Sequence, residues 1–263
     1  MPQEYVSEEL THLIGRSLAS QDEQFKLLVH ILRSRWLQAS YRMEFGAGSY
    51  LRGDSSKQLS SNEAVRAATV CFCDIPVPSL DIHMRKYSQF GLAFSKRYLV
   101  RRGVSPVFYV AANAAPPPTP GIGPRSLGAT FDELYKDLYT VMNQMNELVN
   151  QMSGRAGQRV TFKLSPPGTP LQLQVLGKLN AFAGDLDKLL FAHLKFFDGT
   201  LPEEHIDNYY MEREWRKIDG LSFQWENITA VILPKRFVRL LREHLPEFQW
   251  PIRTVREDGI IDK

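Results

Sequence analysis

The sequence predicts an α+β fold, and three features carry that reading. Residues 68–112 alternate apolar, strand-like runs with short helical ones, the pattern of a compact mixed unit. FDELYKDLYTVMNQMNELVNQM has the period of a long amphipathic helix. The last third returns to strands in HLKFFD, YMEREWRKI, LSFQW and NITAVILP.

The elements follow in order. LTHLIGRSL is a short apolar stretch holding His12 and Arg16. In SQDEQFKLLVHILRSRWL, Ser20 is placed to cap a helix and Glu23 to complete a capping box. Phe25, Leu28, Val29 and Leu32 then share one helical face. Residues 41–64 are rich in Gly and Ser and read as a mobile loop. ATVCFCDIP is a buried strand stopped by Pro76 and Pro78, SLDIHMRKY a short helix, and FGLAFS a strand. KRYLVRRG is a helix ending at Gly103, and SPVFYVAA a third strand. AAPPPTPGIGPRSLG has too much proline and glycine for any regular element.

Beyond it, Phe131, Leu134, Tyr135, Leu138, Met142, Met145 and Val149 trace the buried stripe of the long helix, with the methionines as core filling. SGRAGQRVTFKLSPPGTP is loop with at most one edge strand, and LQLQVLGKLNAFAGDLDKLLFAHL is helical despite two glycines. PKRFVRLLREHL is a last helix opened by Pro234, and the tail after Trp250 is expected to be loosely held. The expected organisation is one domain over residues 1–263. Its β-rich core is 1–113 and 195–235, with a Pro/Gly loop at 114–129, a helical insertion at 130–194, and a C-terminal helix and tail at 235–263.

Composition narrows the function. With 32 basic and 29 acidic residues the net charge is only +3, unlike the strongly basic face of a dedicated nucleic-acid binder. A local basic patch remains around Lys96, Arg97, Arg101 and Arg102. The two cysteines, Cys71 and Cys73, are too close for an unstrained disulfide and read as reduced thiols of a cytoplasmic protein. MPQEYVSEEL lacks the features of a secretory signal, and no apolar run reaches the ~20 residues that span a bilayer. Cys71, Cys73, Asp74 and His83 have zinc-ligating side chains, but their spacing fits no standard finger, so no metal is expected. GxSxG, GxxxxGK[ST] and a dinucleotide loop are all missing.

What remains is a distributed pattern. If NYYMEREWRKIDG is extended, Glu212, Glu214 and Arg216 project from one face, the carboxylates ~7 Å apart. His12 lies in a first strand, Ser95 with Tyr98 at a middle one, and the two glutamates in a late one. This order resembles the ADP-ribosyltransferase superfamily, which implies a mixed or antiparallel β core with flanking helices, and NAD as substrate. The resemblance makes Glu214 the catalytic carboxylate, with Glu212 orienting the acceptor. His12, Arg16, Ser95 and Tyr98 become the NAD-holding set. Its chemical logic is that a fixed carboxylate stabilises the cation formed as the nicotinamide–ribose bond breaks.

CFCDIPVPSLDIHMRKYSQFGLAFSKRYLVRRGVSPVFYV and MEREWR, together with HLIGRSL, more closely resemble the AbiGi family of abortive phage-infection proteins. That family is linked to bacterial two-gene systems and labelled an antitoxin. The resemblance implies a cytoplasmic anti-phage protein. It is either an NAD-using effector acting on a host or phage target, protein or nucleic acid, or a non-catalytic partner that restrains a toxin. The residues also have plain structural roles open to them. His12 can be a hydrogen-bonded core histidine, Arg16 a surface ion pair and Ser95 a helix cap. Asp74 can cap a turn, and Glu212, Glu214 and Arg216 can form a salt-bridge network.

Overall fold

The computed structural model describes residues 7–40, 51–76, 79–116, 125–153, 171–202, 205 and 207–256. Along the chain run β1 (Glu9–Leu13), α1 (Gln21–Ser34), β2 (Trp36–Leu37), β3 (Leu51–Gly53), β4 (Val65–Ala67) and β5 (Thr69–Cys73). Then come α2 (Asp81–Lys86), β6 (Gly91–Ser95), α3 (Lys96–Arg101), β7 (Ser105–Pro106), β8 (Phe108–Ala111), α4 (Leu127–Ser153) and α5 (Leu171–Leu189). β9 (Leu194–Phe197), β10 (Glu214–Ile218), β11 (Leu221–Ser222), β12 (Ile228–Pro234), α6 (Val238–His244) and β13 (Ile252–Val255) complete the order. The α+β class holds. The chain forms two compact units, one of residues 1–50, 68–107 and 201–263, the other of 51–67 and 108–200.

The first unit is built on a seven-stranded sheet ordered β13-β12-β6-β1-β5-β10-β7. Its pairs are antiparallel except β12 with β13, which makes the sheet mixed. Side chains alternate between its faces. Leu10, Val70, Phe72, Leu92, Phe94, Val231 and Leu233 line one face, where Phe25, Leu28, Val29 and Leu32 of α1 and Leu241 of α6 cover them. The opposite face carries a smaller core of Cys73, Ile232 and Val255 packed with Leu80, at the start of α2, and Met84 within it. α1 forms where local chemistry asks for it. Ser20 accepts from the Glu23 amide, and Glu23 accepts from the Ser20 amide, closing the capping box.

In the second unit β8 pairs with β9 in parallel and β3 with β4 antiparallel. Tyr135 of α4, 2% exposed, anchors a core with Leu59, Ala64, Leu194 and Phe196. Asp132 of α4 accepts from the Ser60 amide and hydroxyl, each at 2.7 Å, which ties the turn at Leu59–Ser61 to the helix.

Four local expectations change. SPVFYVAA breaks at Val107: β7 joins the edge of the large sheet, where Pro106 needs no ladder N–H, while β8 pairs elsewhere. Residues 51–53, expected in a loop, form β3, and residues 41–50 lie outside the described residues, as do 117–124 and 154–170. The expected loose tail includes β13, with Val255 2% exposed and Arg253 forked onto the Glu9 carboxylate at 2.6 and 3.1 Å. Leu134, assigned to the buried stripe of α4, is 60% exposed.

Candidate functional site

The charged run at 212–216 is not a continuous strand. Tyr209–Glu212 is a 3-10 turn, and Arg213 takes the left-handed region with φ 43° and ψ 50°, so β10 begins only at Glu214. Left-handed backbone is unfavourable for a residue with a Cβ and persists where surrounding contacts fix it. Here the Arg213 carbonyl accepts from the Asp74 amide at 3.0 Å. The turn buries both carboxylates, each residue 7% exposed, in different settings.

Glu214 stands opposite Cys73 in the β10–β5 ladder and Arg216 opposite Cys71, so the four side chains share a face. Arg216 forks onto the Glu214 carboxylate, Nε to Oε1 at 2.7 Å and Nη2 to Oε2 at 3.2 Å. Burial, then the adjacent Glu214 charge, pushes the Cys71 thiol up to about 12. Burial does the same to Cys73, which also reaches about 12.

Glu212 is held from the other side by the end of α2. Lys86 Nζ meets its Oε1 at 2.9 Å, and the Tyr87 hydroxyl donates to the same oxygen. Burial, then the Glu212 charge, holds the Tyr87 phenol well above its usual range, so it remains a donor. Arg16 lies over the Tyr87 ring at 4.7 Å, Lys86 over the Tyr87 and Tyr209 rings at 5.3 and 5.2 Å, and His83 stacks on Tyr87. His83 Nδ1 is buried with no hydrogen-bond partner among the described residues, and burial lowers the ring's pKa against the pull of Glu212. Lys86 and Tyr87 thus tie Glu212, and with it the start of β10, to the end of α2.

The structure brings Glu212, Glu214 and Arg16 into this neighbourhood, Arg16 through Tyr87. His12 stands on the opposite face of the sheet, with Leu10 and Phe72. Its Nδ1 donates to the Cys71 carbonyl at 2.7 Å, and its ring meets Phe72 at 5.7 Å. Burial lowers its pKa and keeps the ring neutral. Ser95 pairs with Glu9, three strands from β10, a separation of roughly 14 Å before any offset along the strands. Its hydroxyl accepts from the Tyr98 amide as the cap of α3. Tyr98 donates to the Ser222 carbonyl at 3.0 Å, and burial raises its pKa. Sequence reasoning missed Lys86, Tyr87 and His83 as partners of the glutamates. Their only signal was position, the basic and aromatic end of a short helix next to CFC.

A family model described as "Putative abortive phage resistance protein AbiGi, antitoxin" matches residues 49–243. The chain belongs to the AbiGi family. The AbiGi match contains Lys86, Tyr87, Ser95, Glu212, Glu214 and Arg216, whereas His12 and Arg16 precede it. It also contains α4 and α5. No curated protein and no solved structure matches the chain. Among the described residues no helix is long and apolar enough to cross a membrane, and no group of His, Cys, Asp and Glu is arranged to hold a metal.

Proposed function

We propose that this chain acts in abortive phage resistance as a restraining, antitoxin-type protein that grips a protein partner through α4 and α5. One observation carries the proposal. On α4, Leu134, Val141 and Leu148 are 60, 51 and 53% exposed at intervals of seven residues. On α5, Val175, Leu179, Phe182 and Leu189 are 47, 42, 58 and 71% exposed at the same heptad spacing, with Leu179 four after Val175. Rows of that period fit a partner helix, and large exposed apolar rows are uncommon on surfaces that meet only water. The antitoxin description of the family fits a partner of this kind.

The test is co-expression with the protein encoded beside this chain's gene, read as co-purification and as rescue of growth. Leu134→Glu with Leu148→Glu, and separately Phe182→Glu, should abolish both while leaving circular dichroism unchanged, because these side chains are already wet. Rescue that survives all three substitutions would sink the proposal.

A second reading, an NAD-using ADP-ribosyltransferase-like effector, draws on the left-handed Arg213, since backbone strain collects at working sites. In it, Glu214 meets the developing ribose cation, Glu212 orients the acceptor, and Arg16 holds a phosphate. This reading also needs His12, which lies on the other face of the sheet, and Ser95 and Tyr98, about three strands away, to reach the same nucleotide. Arg216 must first release Glu214, because a carboxylate forked by a guanidinium has no oxygen turned to substrate. Labelled NAD added to lysate from phage-infected cells decides it. Transfer by wild type, lost in Glu214→Gln at equal folded protein, supports the effector; no transfer returns the weight to the restraining role.

A further inference from the structure

The basic patch noted in the sequence around α3 has a shape that the partner-binding role does not use. Trp36, Arg101, Arg102, Lys217, Gly220 and Ser222 line a cleft of about 350 Å³ in the first unit. A Cβ at Gly220 would lie 2.1 Å from Trp36 Cζ2, so the indole rests directly on that glycine while 41% of the residue stays exposed. Arg102 Nη2 donates to the Ser222 hydroxyl at 2.7 Å and its carbonyl at 3.3 Å. Lys217 Nζ donates to the Ile218 carbonyl at 2.7 Å. Arg101 is exposed and makes no hydrogen bond or ion pair among the described residues. Among the described residues none of the three cations is paired with a carboxylate, and no carboxylate lines the cleft.

We infer that this cleft binds a nucleoside phosphate, with the base on Trp36 and the phosphate between Arg101, Arg102 and Lys217. A simple anion would use the cations but leave the indole idle. A neutral aromatic would stack on the indole and leave three like charges crowded together. A phosphorylated base uses both, because guanidinium groups fork onto phosphate oxygens and indole faces stack on bases. The same chemistry occurs in a free mononucleotide and at the 5′ end of a single strand.

Isothermal titration of the whole protein tests this with AMP, adenosine, inorganic phosphate, and an oligoadenylate carrying either a 5′-phosphate or a 5′-hydroxyl. AMP should bind at least about tenfold more tightly than adenosine or phosphate. Trp36→Ala and Arg101→Ala should each weaken it by about tenfold or more. Arg101 is exposed and unpaired, so its variant keeps the fold even if loss of Trp36 disturbs β2. Tighter binding of the phosphorylated strand than of AMP, lost with its 5′-phosphate, assigns the site to strand ends; equal binding assigns it to free nucleotide. Three results overturn the inference: no heat with any probe at millimolar concentration, phosphate binding as tightly as AMP, or AMP binding unchanged in Arg101→Ala.

Discussion

Glu214→Gln is the substitution that a catalytic role would suggest first, and the structure makes it a test of stability. An exposed carboxylate on a strand contributes under ~1 kcal/mol. Glu214 is not exposed: its side chain is 9% accessible and that of its partner Arg216 18%. Removing one charge of a buried pair costs about 3–5 kcal/mol, because the other is left buried without compensation. Glutamine keeps an acceptor at Oε1 and Arg216 has some access to water, so about 2–3 kcal/mol is expected here. For a protein of this size that lowers the melting temperature by roughly 5–10 °C. All four tryptophans, Trp36, Trp215, Trp225 and Trp250, lie in the first unit, so their fluorescence in a urea titration reports that unit alone. Replacing both partners, Glu214→Leu with Arg216→Met, should recover most of the loss, since neither charge is then stranded. Coincident urea curves for wild type and Glu214→Gln would refute the reasoning. The same shift is why any loss of NAD labelling in this variant must be compared at equal folded protein.

Acid should weaken the fold in a definite window. Burial holds the His12 and His83 pKa values below the usual 6.5, so the unfolded chain binds more protons between those values and 6.5. Their contribution is whole above about pH 6.5 and is lost as pH falls toward the folded values. The tryptophan-monitored urea midpoint should drop from pH 7.5 to 5.5, and drop less in His12→Asn with His83→Gln; an unchanged or rising midpoint contradicts this. Cys71 and Cys73, with thiols at about 12, carry almost no thiolate at neutral pH. Iodoacetamide should label them slowly in native protein and quickly in urea, and rapid native labelling of either would show that the β5 face opens.

What was legible in the sequence was local. The Ser20–Glu23 capping box and the face of Phe25, Leu28, Val29 and Leu32 need only neighbours within two turns, and both form. The CFC strand was readable because a run of small and apolar residues between turn signals suits burial on both faces. Arg213 gave no warning, because left-handed backbone is signalled by Gly, Asn or Asp, and an arginine there is fixed by distant partners such as Asp74. β13 was missed for the same reason: IRTV is short and polar, and becomes a strand because β12 offers a bare edge. The face occupied by His12 depends on register with β5, which no spacing within β1 reveals. The order of the His, Ser and Glu strands along the chain therefore says little about which side chains meet.

The large sheet seats β1 between β6 and β5 and closes with β13 beside β12, so it combines strands from residue 9 to residue 255. A ribosome adding roughly 5–20 residues per second needs about ten to fifty seconds to deliver the last strand after the first. Throughout that interval Glu9 lacks Arg253, and once β12 is made its edge stays open until β13 follows. Contacts this distant in sequence also form slowly once the chain is free. Until then a newly begun chain of this protein has no complete sheet. Its effect during the first moments of a phage attack would rest on molecules completed beforehand, and on how long each survives.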